Sequence, residues 1–172
     1  PLPERALCIT FDDGLQEQYE HAWPVLRRLG IPAIFFVSTA GIAERRVLGV
    51  HKTHLVRAHA APAKLWQMMQ QQLVEVELAI DETAARAQYQ YDPLEIARLK
   101  YLLNFVLPPT TRDQLIEACF SELFPAQEAA ISEQLYLRPA QIREFAAHGC
   151  LGSHAHDPLP LGLLPSDEVE AQ

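Results

Sequence analysis

The chain has 172 residues, 49% of them apolar and 21% charged, which are ordinary globular proportions that exclude a disordered, collagen-like or low-complexity chain. The length suits a single domain with a sizeable core. With 14 Lys and Arg against 22 Asp and Glu, the formal charge is −8, and neither nucleic acid nor an anionic membrane surface is expected as a partner, because phosphate neutralisation needs clustered positive charge.

Residues 6–11 form a short apolar run that stops at the polar turn Asp12, Asp13, Gly14. Apolar on both faces, the run predicts a buried strand of a parallel set. Residues 16–29 carry Tyr19, Ala22, Trp23, Leu26 and Leu29 at helical spacing, with His21 at the surface or boundary, and the pattern closes at Gly30. Pro24 inside it predicts a kink or one lost hydrogen bond. Residues 32–37, β-branched and aromatic, predict a second buried strand, which completes a βαβ unit with a right-handed crossover.

Residues 43–131 have almost no strand signal and few glycines, and read as a succession of helices inserted into one domain. Asp92 is expected to cap one of them, with Pro93 as its first residue and Glu95 as the reciprocal partner. Thr111 is expected to cap the next, whose apolar positions are Leu115, Ile116, Cys119, Phe120 and Leu123. His51, His54 and His59 could form a metal or substrate patch, but the simpler reading is a solvated basic face beside Lys52 and Arg57. Trp23, Trp66, Met68 and Met69 read as packing residues rather than sugar platforms. A last helix covers residues 139–148, with Ile142, Phe145 and Ala146 inward, His148 favourably placed on the dipole at its end, and Gly149 terminating it. Residues 150–154 predict a third strand.

Cys8, Cys119 and Cys150 are an odd number without C-x-x-C spacing, so neither a disulfide framework nor a zinc ribbon is indicated. Each reads as a small buried hydrophobe, in keeping with a reducing, cytoplasmic compartment. No run of 18 apolar residues and no signal-peptide pattern is present, and a chain beginning at Pro1 rather than Met is expected to be incomplete at that end.

In parallel β/α proteins the loops after the strands converge and carry the reactive groups. Two polar clusters fall at such positions: Asp12 and Asp13 after the first strand, and His154, His156 and Asp157 after the third. Adjacent carboxylates repel, and a divalent cation keeps both ionised, one binding the metal while the other stays free as a base. A neutral imidazole would complete a mixed oxygen and nitrogen shell suited to zinc or a related metal. The simpler alternative is a turn that caps the following helix. The preceding strand and the later His154 favour chemistry over that alternative. A haloacid-dehalogenase-like phosphatase would need an alternating Asp-x-Asp order, which is not found here.

Thr10-Phe11-Asp12-Asp13-Gly14, the strand at 33–37 and Gly149-Cys150-Leu151-Gly152-Ser153-His154 resemble the polysaccharide deacetylases, the NodB-homology or carbohydrate esterase family 4 domain. The resemblance covers the two ends of the chain and leaves residues 43–131 outside the common pattern. It implies an α/β fold of the distorted β/α barrel type, incomplete here because only three strands are visible. The implied function is metal-dependent hydrolysis of N-acetyl groups on a polysaccharide or amino-sugar substrate, so a carbohydrate is the expected partner and a divalent metal, zinc first, the expected cofactor. Asp12 would be the general base, and Asp13 and His154 would be metal ligands.

The family's second histidine position is Pro158, which has no side-chain donor. His156 could replace it, being two residues from His154 on an extended segment, although the favoured reading leaves it beside the site or facing substrate. Water, Asp157 or a later part of the chain are the other options. The oxyanion would be met by the metal and by a backbone N–H in the turn Ser38-Thr39-Ala40. The family's later motifs, with an arginine, a tryptophan and a Leu-x-His that carries the general acid, have no counterpart in residues 159–172, and residues 166–170 look like the opening of another helix. The chain is therefore expected to be one domain truncated on its C-terminal side, a fragment of a longer protein. Two other functions stay open: an amidohydrolase of a small non-sugar amide, and a catalytically silent relative that binds glycan or a partner.

Overall fold

A computed structural model describes residues 4–73 and 80–157 together with Val169. In chain order it contains β1 (Ile9–Phe11), a π-helical turn (Gln18–Ala22) leading into α1 (Trp23–Leu29), β2 (Ala33–Val37), α2 (Ala40–Ala43), α3 (Gly49–His59) and α4 (Pro62–Gln72). It continues with α5 (Glu82–Gln88), α6 (Leu94–Tyr101) and a second π-helical turn (Leu102–Val106), α7 (Pro109–Leu123), α8 (Glu128–Leu135), α9 (Pro139–Ala147) and β3 (Leu151–Ser153). The chain divides into two compact units, Pro1–Leu48 with Gln127–Gln172, and Gly49–Ala126. No helix among the described residues is long and apolar enough to cross a membrane.

The first unit is built on a parallel sheet in the order β1-β2-β3, with Phe11 beside Phe35 and Val37 beside Ser153. The α/β class and the parallel pairing agree with the sequence reading, whereas the described residues form an open three-stranded sheet and not a barrel. Phe35 is the centre of the core: its ring stacks on Phe11 at 4.8 Å and on Phe145 at 4.1 Å, and Trp23 stands edge-on to Phe35 and Phe145. Helices α1 and α9 thus cover one face of the sheet. Both end in the same way, with an i to i+5 backbone bond across a glycine, from Ile31 to Leu26 and from Cys150 to Phe145, so each helix hands over directly to a strand.

Several expectations need correction here. The strands are not buried on both faces: Thr10 and Ile34 are exposed on the face away from Phe35, and Leu7, expected inside the first strand, is 85% exposed before β1 begins. With α1 and α9 on one side, alternate side chains of each strand turn to the other. Cys8, which also precedes β1, is exposed and not buried as expected, while Cys119 and Cys150 are buried. Burial pushes the Cys119 thiol up to about 11, which keeps it inert. Ala146 faces outward, one position beyond the inward Phe145. Pro24 acts through geometry: it is the second residue of α1, and the widened turn before it takes up the missing donor and the ring's collision with the preceding carbonyl.

In the second unit α3 packs on α7, α4 on α6 and α7, and α5 on α6, around a core that includes Val56, Leu65, Met69, Leu99, Leu102 and Phe120. Its helix starts fall elsewhere than expected. α6 begins at Leu94, and the Asp92 carboxylate accepts from Lys100 Nζ at 2.5 Å instead of capping. α7 begins at Pro109, whose fixed φ suits a first turn, so Thr111 lies inside the helix. The expected solvated face on α3 is overturned in part: His51 and Lys52 are buried, Lys52 reaching Glu117 at 2.5 Å, whereas His54 and His59 are exposed, the His59 ring lying 4.8 Å from that of Phe124. Trp66 and Arg98 stack at 5.2 Å, and Met68 and Met69 are buried, as packing residues should be.

Candidate active site

The carboxyl ends of the three parallel strands point the same way, and the segments leaving them meet. After β1, Asp13 and Gly14 both take left-handed backbone angles, φ 72° and 71°. For Asp13 this costs about 1–2 kcal/mol, which aspartate tolerates better than most residues. For Gly14 any side chain would be strained and crowded: a Cβ there would lie 2.9 Å from Val37 Cγ1 of β2, which would have to shift. The turn is braced from its other side by residues 136 and 137, since Leu137 N–H donates to the Gly14 carbonyl at 2.9 Å and Leu15 bridges to Tyr136.

This geometry brings two of the sequence-derived residues together. His154 Nε2 lies 3.4 Å from Asp13 Oδ1, with the side chains 37% and 23% exposed. Two ligands held about 2.0–2.1 Å from one tetrahedral cation lie about 3.3–3.4 Å from each other, so the pair fits two positions of such a shell. Among the described residues no group of three or more His, Cys, Asp or Glu is placed to hold a metal ion, so Asp13 and His154 supply two of the four donors that a tetrahedral site needs. Asp12, the neighbour of Asp13, is exposed, and its backbone carbonyl accepts from Gln18 Nε2 at 2.6 Å. Pro158 lies outside the described residues.

His156 is not brought to this pair. Its Nδ1 is 2.9 Å from Thr39 Oγ1 and its Nε2 is 2.7 Å from Glu44 Oε1. His154 and His156 do not face the same way, as two residues on an extended segment would, because Ala155 between them has a left-handed φ of 63°, which turns the two rings to different partners. Asp157 accepts from an Arg46 terminal nitrogen at 2.6 Å, and Arg46 Nε donates to Glu44 at 2.7 Å. Bonds from His156, then from Arg46, hold the Glu44 carboxyl below its usual range. Burial works against the charge on Arg46, but the bonds to Asp157 and Glu44 outweigh it and raise its pKa.

The expected backbone oxyanion donors at Thr39 and Ala40, at the start of α2, are already used, by the carbonyls of Ala155 at 3.3 Å and His156 at 2.8 Å. Sequence reasoning missed Glu44, Arg46 and Tyr136. Tyr136 is 2% exposed and accepts the Leu48 N–H at 2.9 Å; burial pushes its phenol well up, and the charges of Asp13 and Asp157 add to the effect. The charged triplet Glu44-Arg45-Arg46 so soon after a strand end was the available signal for the first two.

Residues 1–90, just over half of the chain, match the family described as Polysaccharide deacetylase. The matched stretch includes Asp12 and Asp13 but stops short of His154, and it runs into the helical unit that the motif resemblance left out. In the comparisons with curated proteins and with solved structures, nothing matches.

Proposed function

We propose that this chain, which belongs to the polysaccharide deacetylase family, is a metal-dependent hydrolase that removes N-acetyl groups from a polysaccharide or amino-sugar substrate. Family membership supports a deacetylase-type hydrolase acting on a carbon–nitrogen bond, with a carbohydrate as substrate. The finer reading is carried by one observation, the 3.4 Å approach of Asp13 and His154 at the ends of β1 and β3. In it, Asp13 and His154 hold a divalent cation, zinc first, and Asp12 is the base. When bound, such a cation supplies positive charge that polarises the acetyl carbonyl and acidifies water. Asp12, exposed beside the pair, accepts the proton of the attacking water. Asp13 is kept in place by the strained turn, and His154 by its N–H bond to the Val37 carbonyl at 3.0 Å. The parallel sheet is read as one arc of the distorted barrel, with residues 43–131 inserted in a single domain.

The test is acetate release from N-acetylated oligosaccharides by zinc-loaded protein. Asp12→Asn should lower kcat by about 100-fold or more while leaving bound zinc unchanged. His154→Ala should lose the zinc. Acetate release that survives Asp12→Asn would refute the assignment of the base. Turnover confined to a small non-sugar amide would replace the substrate class, and glycan binding without turnover would favour a silent relative.

A further inference from the structure

We propose that Arg46 is a positioning residue which, through Glu44 and Asp157, clamps the segment after β3 so that His154 faces Asp13. The inference rests on the metal reading above. Regular pairing of β2 with β3 ends at Val37 and Ser153, and His154 to Asp157 would otherwise hang from a three-residue strand. Instead, every residue of that segment is tied to residues 37–46. His154 donates its N–H to Val37, and its carbonyl accepts from Ser38 Oγ at 2.9 Å. The carbonyls of Ala155 and His156 accept from Thr39 and Ala40. The His156 ring is held between Thr39 and Glu44, and Asp157 is held by Arg46.

Arg46 is the member that closes the set. Its Nε takes Glu44 and a terminal nitrogen takes Asp157, so one planar guanidinium spans two carboxylates, one on each side of the clamp. Glu44, fixed through one oxygen by Arg46, presents the other to His156. With both ring nitrogens of His156 engaged and Ala155 in the left-handed region, the chain is turned so that His154, and not His156, points at Asp13. A lysine would keep the charge, but as a compact point charge it lacks the fork that spans both partners.

The test compares Arg46→Ala and Arg46→Lys in the whole chain, with Co²⁺ as the probe and its visible absorption as the readout. Arg46→Ala should weaken Co²⁺ binding by about 10- to 100-fold, the usual cost of removing a group that orients a ligand, and Arg46→Lys should recover little of it. In metal-free protein, amide exchange at Thr39, Ala40 and His154 should become several-fold faster while Phe35 stays protected, which general destabilisation would not produce. Unchanged exchange at those amides, or full recovery of both properties by lysine, would overturn the proposal. If the unaltered protein takes up no Co²⁺, the metal reading fails, and the exchange measurement still decides the clamp. Should Arg46→Ala not fold, Asp157→Asn removes one arm of the fork and should give the same selective loss.

Discussion

The sheet unit and the helical unit use charge in opposite ways. In the sheet unit six charged or titratable side chains gather at one edge in two sets, Asp13 with His154, and Glu44 with Arg46, Asp157 and His156. In the helical unit the charges settle pair by pair, Lys52 with Glu117, Lys100 with Asp92 and Arg98 with Glu82. The contrast follows from geometry. Parallel strands send all their C-terminal segments to one edge, so short polar stretches far apart in sequence converge there. A helix distributes its polar groups around its axis, where each finds a neighbour three or four residues away or on the next helix. Chemistry needs convergence, and only the first arrangement supplies it.

The largest expected effect tests whether the sheet unit owes its order to its aromatic core. Phe145 is fully buried, stacked on Phe35 and edge-on to Trp23, so Phe145→Ala should cost about 3–5 kcal/mol in a denaturant titration. Amide protection should collapse in β2 and β3 and persist in α6. Equal loss in α6 would show that the two units do not unfold separately and would break the contrast at the level of stability.

The parts of this fold that were legible in the sequence are those set by local rules. An apolar run ending at Asp12, a helical stripe closing at Gly30 and a second run at 33–37 are each specified by the residues themselves, and the parallel pairing follows from their order. The approach of Asp13 to His154 was legible for the same reason, since both stand at strand ends. What was not legible depends on which of two local options tertiary contacts select. Asp92 could cap a helix or bind a lysine, and Lys100 decided it. His156 could follow His154 or turn away, and a left-handed Ala155 decided it. Burial of His51 and Lys52 could not be read from a helix whose sequence looks polar on every side.

A middling effect sharpens the account of the helical unit. Lys52 is 7% exposed, with Nζ 5.0 Å from the Phe120 ring centre, while its partner Glu117 is half exposed. Removing a lysine charge from water costs much of what the pair returns, and methionine matches the stem in shape. Lys52→Met should therefore be neutral or stabilising by up to about 1 kcal/mol, measured as a shift of the denaturation midpoint. A loss of more than about 2 kcal/mol would mean that this unit, too, depends on a charge held in a defined place.

The smallest effect concerns a carboxylate of the sheet unit that serves packing. Glu144 on α9 accepts from Tyr19 Oη at 2.5 Å, Trp23 Nε1 at 3.1 Å and Arg27 at 3.3 Å, which ties α9 to α1 and to the turn before it. The bond from Tyr19, followed by that from Trp23, lowers the Glu144 pKa below its ordinary 4.5. The unfolded chain then binds the proton more readily than the folded one, so the stability from this group is complete above 4.5 and is lost as the pH falls through the folded value. The same bond raises Tyr19 above its ordinary 10.0, so its contribution is complete below 10.0 and fades as the pH rises through the folded value. Glu144→Gln should lower the Tm at neutral pH, and the gap to the unaltered protein should close at both extremes. A gap that stays constant across pH would mean that the glutamate acts by shape alone, and that charge in the sheet unit matters only at the strand ends.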